Sequence, residues 1–299
     1  MRAGIFAAVP TPIDATGAVD DAAFDRLIDF LAGSGLDGVC VGGATGEYPL
    51  FDVREREALI RRAAARLPDG QRLLVGIGAG ALAQTLALGV SAFAAGAEAV
   101  LVPAPFFFRY GQPDLDAFFR RVGDALGGRC LLYDLPTFTT PIETATIIDL
   151  LRSDAHYIGL KDSSGRASRL AELARARGAE AWSLFVGDDI LLRQGVAAGW
   201  NGGISGLAAF CPELLLQLYR SAAGGSENEA ARCDALLAEL IGRIGACPVP
   251  WAVRAGLRAR DLDIGSPPLP LSPGRRDDLR RFEDWLRASF IPRAAAAAS

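Results

Sequence analysis

Short runs rich in β-branched and aromatic residues alternate with amphipathic stretches through most of this 299-residue chain. No other feature narrows the fold as much. Strand-like runs fall at 5–9, 38–41, 73–77, 99–103, 130–133, 157–161, 183–186 and 202–205. Helical patterns separate them at 22–32, 54–66, 85–95, 115–126, 144–151, 169–177, 190–197 and 212–221. Parallel strands need a crossover between neighbours, and a helix is the usual one. Eight strand–helix units at spacings of roughly 20–35 residues fit a closed (β/α)8 TIM barrel better than an open sheet.

Past Gly224-Gly225-Ser226 the strand signals stop. Helical patterns at 227–244 and 275–290 flank 248–260, and Ser266-Pro267-Pro268-Leu269-Pro270 punctuates the second connection. The expected organisation is an α/β barrel over 1–223 that carries the active site, with a C-terminal helical extension over 224–299. The tail from Ala294 onward is expected to fray, since nothing in it signals a core contact.

Composition removes several classes of function. A net charge of −4 with no Lys/Arg cluster argues against nucleic acid or an anionic membrane as partner. No apolar run reaches transmembrane length. Met1-Arg2-Ala3-Gly4-Ile5-Phe6 leads directly into a strand without signal-peptide anatomy, so a cytoplasmic location is expected. The five cysteines are odd in number, widely spaced and lack CxxC, which suits reduced thiols. With a single histidine, a His/Cys metal site is not expected.

Against this background one residue stands out. Lys161 is the only lysine, beside 30 arginines, and it ends the apolar strand-like run 157–161. Arginine stays protonated, whereas a desolvated lysine can lose its proton and attack a carbonyl. A strand-end lysine reaching solvent explains this single feature equally well. Position adds weight, because barrel enzymes carry their reactive groups at the carboxyl ends of strands. Tyr133 ends the preceding strand, within reach of the same small ligand. His156 lies at the other end, about 16 Å away at ~3.3 Å per residue. Its odd spacing from Lys161 also puts it on the opposite face, so a Ser-His-Asp triad is not expected.

Three loops carry further signals. Gly42-Gly43-Ala44-Thr45-Gly46-Glu47 offers backbone N–H groups and a hydroxyl to a small anion, although a plain tight turn has the same composition. Gly76-Ile77-Gly78-Ala79-Gly80-Ala81 loosely fits a dinucleotide fingerprint. Its candidate acid, Glu98, precedes a strand where a ribose-binding acid should end one, which argues against a nucleotide. In Phe106-Phe107-Phe108 the three rings cannot all face one core, so at least one is expected at the mouth or in an oligomer contact.

Taken in order, several short motifs resemble the dihydrodipicolinate synthase / N-acetylneuraminate lyase superfamily of Schiff-base aldolases. They are Val9-Pro10-Thr11-Pro12-Ile13-Asp14, Gly43-Ala44-Thr45-Gly46-Glu47, Tyr133-Asp134-Leu135-Pro136, Gly159-Leu160-Lys161-Asp162, Gly187-Asp188-Asp189 and Gly202-Gly203-Ile204-Ser205. The resemblance covers nearly the whole chain. It implies that Lys161 forms an imine with pyruvate or a 2-keto acid and that Tyr133 moves protons. It also implies that Ala44 and Thr45 hold the carboxylate, and that Phe107, Phe138 and Ile204 belong to the substrate site. No cofactor is implied, and a homotetramer built from tight dimers is expected by analogy.

Departures from the synthase pattern direct the substrate reading. Ala44 stands where a hydroxyl residue is usual, and Phe107 where a neighbouring subunit supplies a tyrosine. Phe138 replaces the arginine that holds a second carboxylate. Losing such a bidentate partner costs roughly 2–5 kcal/mol. Pro136-Thr137-Phe138-Thr139 looks closer to the 2-keto-3-deoxy sugar-acid aldolases. On that reading Ser163, Ser164, Asp188, Asp189 and Ser205 bind hydroxyls, though each serves equally well as a loop cap. The expected activity is reversible aldol cleavage to pyruvate and an aldehyde. Dihydrodipicolinate synthesis, dehydration through the same imine and non-catalytic keto-acid binding are the alternatives.

Overall fold

The computed structural model describes residues 1–245 and 247–297. Eight parallel strands pair in chain order and close on themselves. They are β1 (Gly4–Ala8), β2 (Gly38–Val41), β3 (Arg72–Gly76), β4 (Ala99–Pro103), β5 (Cys130–Asp134), β6 (Tyr157–Asp162), β7 (Ser183–Val186) and β8 (Gly202–Ser205). The crossovers are α1 (Asp21–Ala32), α2 (Val53–Arg66), α3 (Leu82–Ala94), α4 (Gln112–Leu126), α5 (Thr144–Ser153), α6 (Ala167–Arg177) and α7 (Leu192–Ala197), with α8 (Pro212–Ala223) after β8. The chain is therefore a (β/α)8 barrel. Helices α9 (Glu227–Ile244), α10 (Val249–Arg258), α11 (Pro273–Trp285) and α12 (Ile291–Ala297) follow it.

Caps set where the helices begin. Asp20 accepts the Ala23 N–H to start α1. Asp52 and Glu55 form a reciprocal capping box at α2, satisfying donors that the first turn leaves free. Several helices accordingly start a residue or more before the apolar periodicity does.

Alternation along each strand divides the core in two. On β5, Leu131 and Tyr133 point into the barrel, while Cys130 and Leu132 pack outward against the helices. Phe6, Phe185 and Ile204 fill the interior with them, as the two-residue period of a strand requires. On β6 that period is interrupted. Cys130 pairs with Tyr157 but Leu131 pairs with Gly159, so Ile158 is an extra residue. Counting odd and even positions across this bulge fails. His156 still lies on the outer side, where its Cβ would come within 3.1 Å of a Cβ on Gly123 of α4, so it stays away from Lys161.

One expectation about the C-terminal part needs adjusting. The tail does not fray through residue 297. Ala294 and Ala297 are buried in α12, which packs on α8 and α9, because small side chains let helices approach closely. Residues 298 and 299 lie outside the described residues. All five cysteines are free, four of them buried. Among the described residues no single helix is long and apolar enough to cross a membrane, and no cluster of His, Cys, Asp and Glu could hold a metal.

Candidate active site

Tyr133 and Lys161 are the next-to-last residues of β5 and β6 and stand directly opposite in register. Both are buried, at 2% and 3% exposure, and the Lys161 Nζ sits 4.5 Å from the centre of the Tyr133 ring. The amine therefore points inward to a cavity of about 370 Å³. Gly187 makes room for it, since a Cβ there would lie 2.9 Å from the lysine Cε.

The turn after β2 forms one wall. Ala44 and Thr45 open a short 3-10 turn, Ala44–Gly46, so its own ladder leaves their N–H groups unused. Thr11 donates to the Gly46 carbonyl at 2.8 Å and holds the turn in place. Phe138 and Ile204 line the same cavity, with Leu135, Ser163, Asp188, Asp189 and Leu207 around them. Phe138 keeps 64% of its surface exposed at the rim. Ile241, Ile244, Gly245, Pro248, Val249 and Pro250 complete the lining. Those six lie in α9 and α10 or cap their facing ends, and no motif announced their part in the site.

Phe107 stands elsewhere. It is 87% exposed, its φ is +84°, and its ring packs edge-on against Phe108, at 4.9 Å. The cause lies one residue earlier, where Phe106 bridges to Thr139 and packs edge-on against Tyr48. The chain then turns through the left-handed region. Within one copy of the chain, Phe107 does not reach the cavity.

Burial dominates the electrostatics. It pushes the Asp189 carboxyl up to about 6, even though the Ser205 hydroxyl and the Lys161 charge pull the other way. Cys40, in the barrel interior below, is pushed up to about 11, again by burial and against the pull of Lys161.

Sequence reading missed the buried ion network that supports the two strand ends. Arg169 is fully buried, donates to the Asp134 carboxylate and the Ile142 carbonyl, and lies 3.6 Å from Asp162. Asp134 follows Tyr133 and Asp162 follows Lys161, so one guanidinium ties both ends together. A second buried arginine, Arg254, donates to Glu47 at 2.9 Å and to the Thr11 carbonyl at 2.7 Å. It fastens α10 to the turn that carries Thr45.

The glycines at the end of β3 and just beyond it have a packing role. A Cβ on Gly76 would meet the Gly42 carbonyl at 2.4 Å. The Gly76 and Gly78 carbonyls both accept from buried Arg56. Glu98 lies at the amino ends of the strands, near Arg72 and Arg129. Nothing here forms a ribose site.

Fold and cavity define a (β/α)8-barrel protein with a buried amine–phenol pair at the carboxyl ends of its strands. The model of the dihydrodipicolinate synthetase family matches residues 1–289. The 4-hydroxy-tetrahydrodipicolinate synthase of Mycolicibacterium paratuberculosis is 31% identical, covering 97% of this chain and 95% of the relative. The synthase of the same name from Thiobacillus denitrificans is 32% identical, covering 93% and 94%. Among solved structures, dihydrodipicolinate synthase from Aquifex aeolicus superposes with a TM-score of 0.90 at 26% identity, over 98% of this chain and 99% of that one. Ruminococcus gnavus sialic acid aldolase also superposes at 0.90, over 100% and 99%, but its 19% identity is a likeness of fold alone. The chain belongs to the dihydrodipicolinate synthetase family, a family of enzymes.

Proposed function

We propose that this protein is a Schiff-base lyase that reversibly cleaves a 2-keto acid, of the 2-keto-3-deoxy sugar-acid kind, to pyruvate and an aldehyde. The observation that carries the reading is the buried Lys161 amine facing the Tyr133 ring inside a cavity that also holds Thr45. Lys161 adds to the substrate C2 carbonyl, and loss of water leaves an iminium. Tyr133 gives its proton to the departing water, and the phenolate so formed removes the proton of the C4 hydroxyl. The C3–C4 bond then breaks, its electron pair moving toward the iminium nitrogen to give an enamine as the aldehyde departs. Protonation at C3 and hydrolysis of the imine release pyruvate and restore the amine. The Thr45 hydroxyl and the N–H groups of Ala44 and Thr45 hold the C1 carboxylate.

The remaining lining argues for the substrate class. Among the described residues no arginine lines the cavity, so a second carboxylate would lack a bidentate partner. Ser163, Asp188 and Asp189 offer hydroxyl-binding groups on one side, and Phe138, Ile204 and Val249 an apolar surface on the other. A second reading, condensation of pyruvate with aspartate semialdehyde, is favoured by the curated relatives that carry the synthase name.

Borohydride reduction in the presence of pyruvate tests the imine, and a mass increment on Lys161 is expected. No increment there would remove both readings. A panel of 2-keto acids scored for pyruvate release, run beside semialdehyde condensation, then separates them. An imine former that releases pyruvate from none of the panel is not the lyase proposed.

A further inference from the structure

A second cavity of about 300 Å³ lies among α9, α10 and α11, lined by Arg243, Arg275, Arg281, Asp278, Cys247 and Trp285, with four apolar neighbours. Three guanidinium groups thus face a single carboxylate. Several arginines elsewhere in the chain pair with carboxylates, among them Arg62 with Asp25, Arg120 with Asp116, Arg169 with Asp134 and Arg258 with Glu283. Here the pairing is incomplete. Arg281 bonds Asp278 at 2.6 Å in an exposed contact three residues apart on one helix. Such a pair contributes little and yields readily to a better anion. Arg243 lies over the Trp285 ring at 5.0 Å, and Arg275 meets the Cys247 thiol. Among the described residues neither has a carboxylate within 4.0 Å.

We propose that this cavity binds a small polyanion, a dianionic phosphate or a di- or tricarboxylate, held between Arg275 and Arg281 with Arg243 closing over it. Planar guanidinium groups converging from two helices suit the forked hydrogen bonding of phosphate and carboxylate oxygens alike. The volume suits a ligand of that size. Ile244 stands in the walls of both cavities, and Cys247 adjoins Pro248, which lines the Lys161 cavity. The bound anion therefore rests against the back of the active-site wall.

Isothermal titration of the full chain with inorganic phosphate, and separately with citrate, tests the site. Saturable one-to-one binding is expected for at least one probe, and the arm that saturates says whether phosphate or polycarboxylate is preferred. Replacing both arginines (Arg275→Gln with Arg281→Gln) should weaken that binding at least about tenfold. Melting temperature should stay unchanged, because both side chains are surface-accessible. Lack of saturable heat with either probe overturns the proposal. So does equal affinity in the double variant, which would mark binding elsewhere. No step of this test uses Lys161, so it stands or falls independently of the proposed reaction.

Discussion

At the scale of single residues, the proposed chemistry depends on an amine and a phenol held in one dry corner. Lys161→Arg keeps the charge but removes the nucleophile. The variant should melt near the parent temperature and show no borohydride adduct. Tyr133→Phe keeps the ring against the lysine and removes only the hydroxyl. It should lower kcat by roughly 10²–10⁴ while KM moves little, the pattern of a lost proton-transfer group. Asp189 supplies a pH dependence with a definite sign. Burial favours its neutral form, so in the folded chain it ionises only near pH 6. An unfolded chain ionises it in the ordinary carboxylate range, and the stability this group contributes is lost as pH rises through about 6. Asp189→Asn should accordingly gain melting temperature over the parent as pH rises from about 4 to about 6, and keep that gain above it. Its catalytic effect runs the other way, since a carboxylate near the Lys161 iminium stabilises it. The parent kcat/KM should rise across about pH 6, and the Asn variant should stay flat there.

At the scale of elements, the ends of β5 and β6 are held by one buried guanidinium and two carboxylates. Removing Arg169 leaves Asp134 without its counter-charge in a site that already holds the carboxyl above its usual range by burial. Arg169→Ala should cost about 3–5 kcal/mol in urea unfolding, as expected when one partner of a buried pair is lost. None of this was legible in the chain. Asp134 and Arg169 stand 35 residues apart, and each taken alone has the look of a solvated surface charge. The strands themselves were legible, because strands buried on both faces read as continuous apolar runs bounded by turns. The places of Lys161 and Tyr133 at the carboxyl ends of adjacent strands were legible too, because the apolar runs that end at them mark those strands. The bulge at Ile158 was not, since an extra residue in one strand leaves no mark on hydrophobicity. The packing of α12 was not either, because alanine gives little apolar signal even where Ala294 is fully buried.

At the scale of the whole molecule, the C-terminal helices and the barrel share the wall around Lys161, and Arg254 fastens them to the turn bearing Thr45. The opposite side of the mouth is left open in a single copy. The loops after β4 and β5 expose Phe107 at 87%, Phe108 at 64% and Phe138 at 64%. Aromatic side chains gathered this way on one face are seldom left in water, and a two-fold pairing of identical copies would cover them reciprocally. Phe107 is the most exposed of the three and projects from a backbone already committed to φ +84°. It is therefore the side chain most dependent on a neighbouring surface. The native mass by light scattering should be at least double the 31.4 kDa of one chain. Phe107→Asp puts a charge into that contact, which costs far more once the contact has closed than in the free chain. The variant should shift toward the monomer with its circular dichroism unchanged. A parent protein that is monomeric at every concentration measured would mean that this aromatic face serves something other than a second copy of the chain.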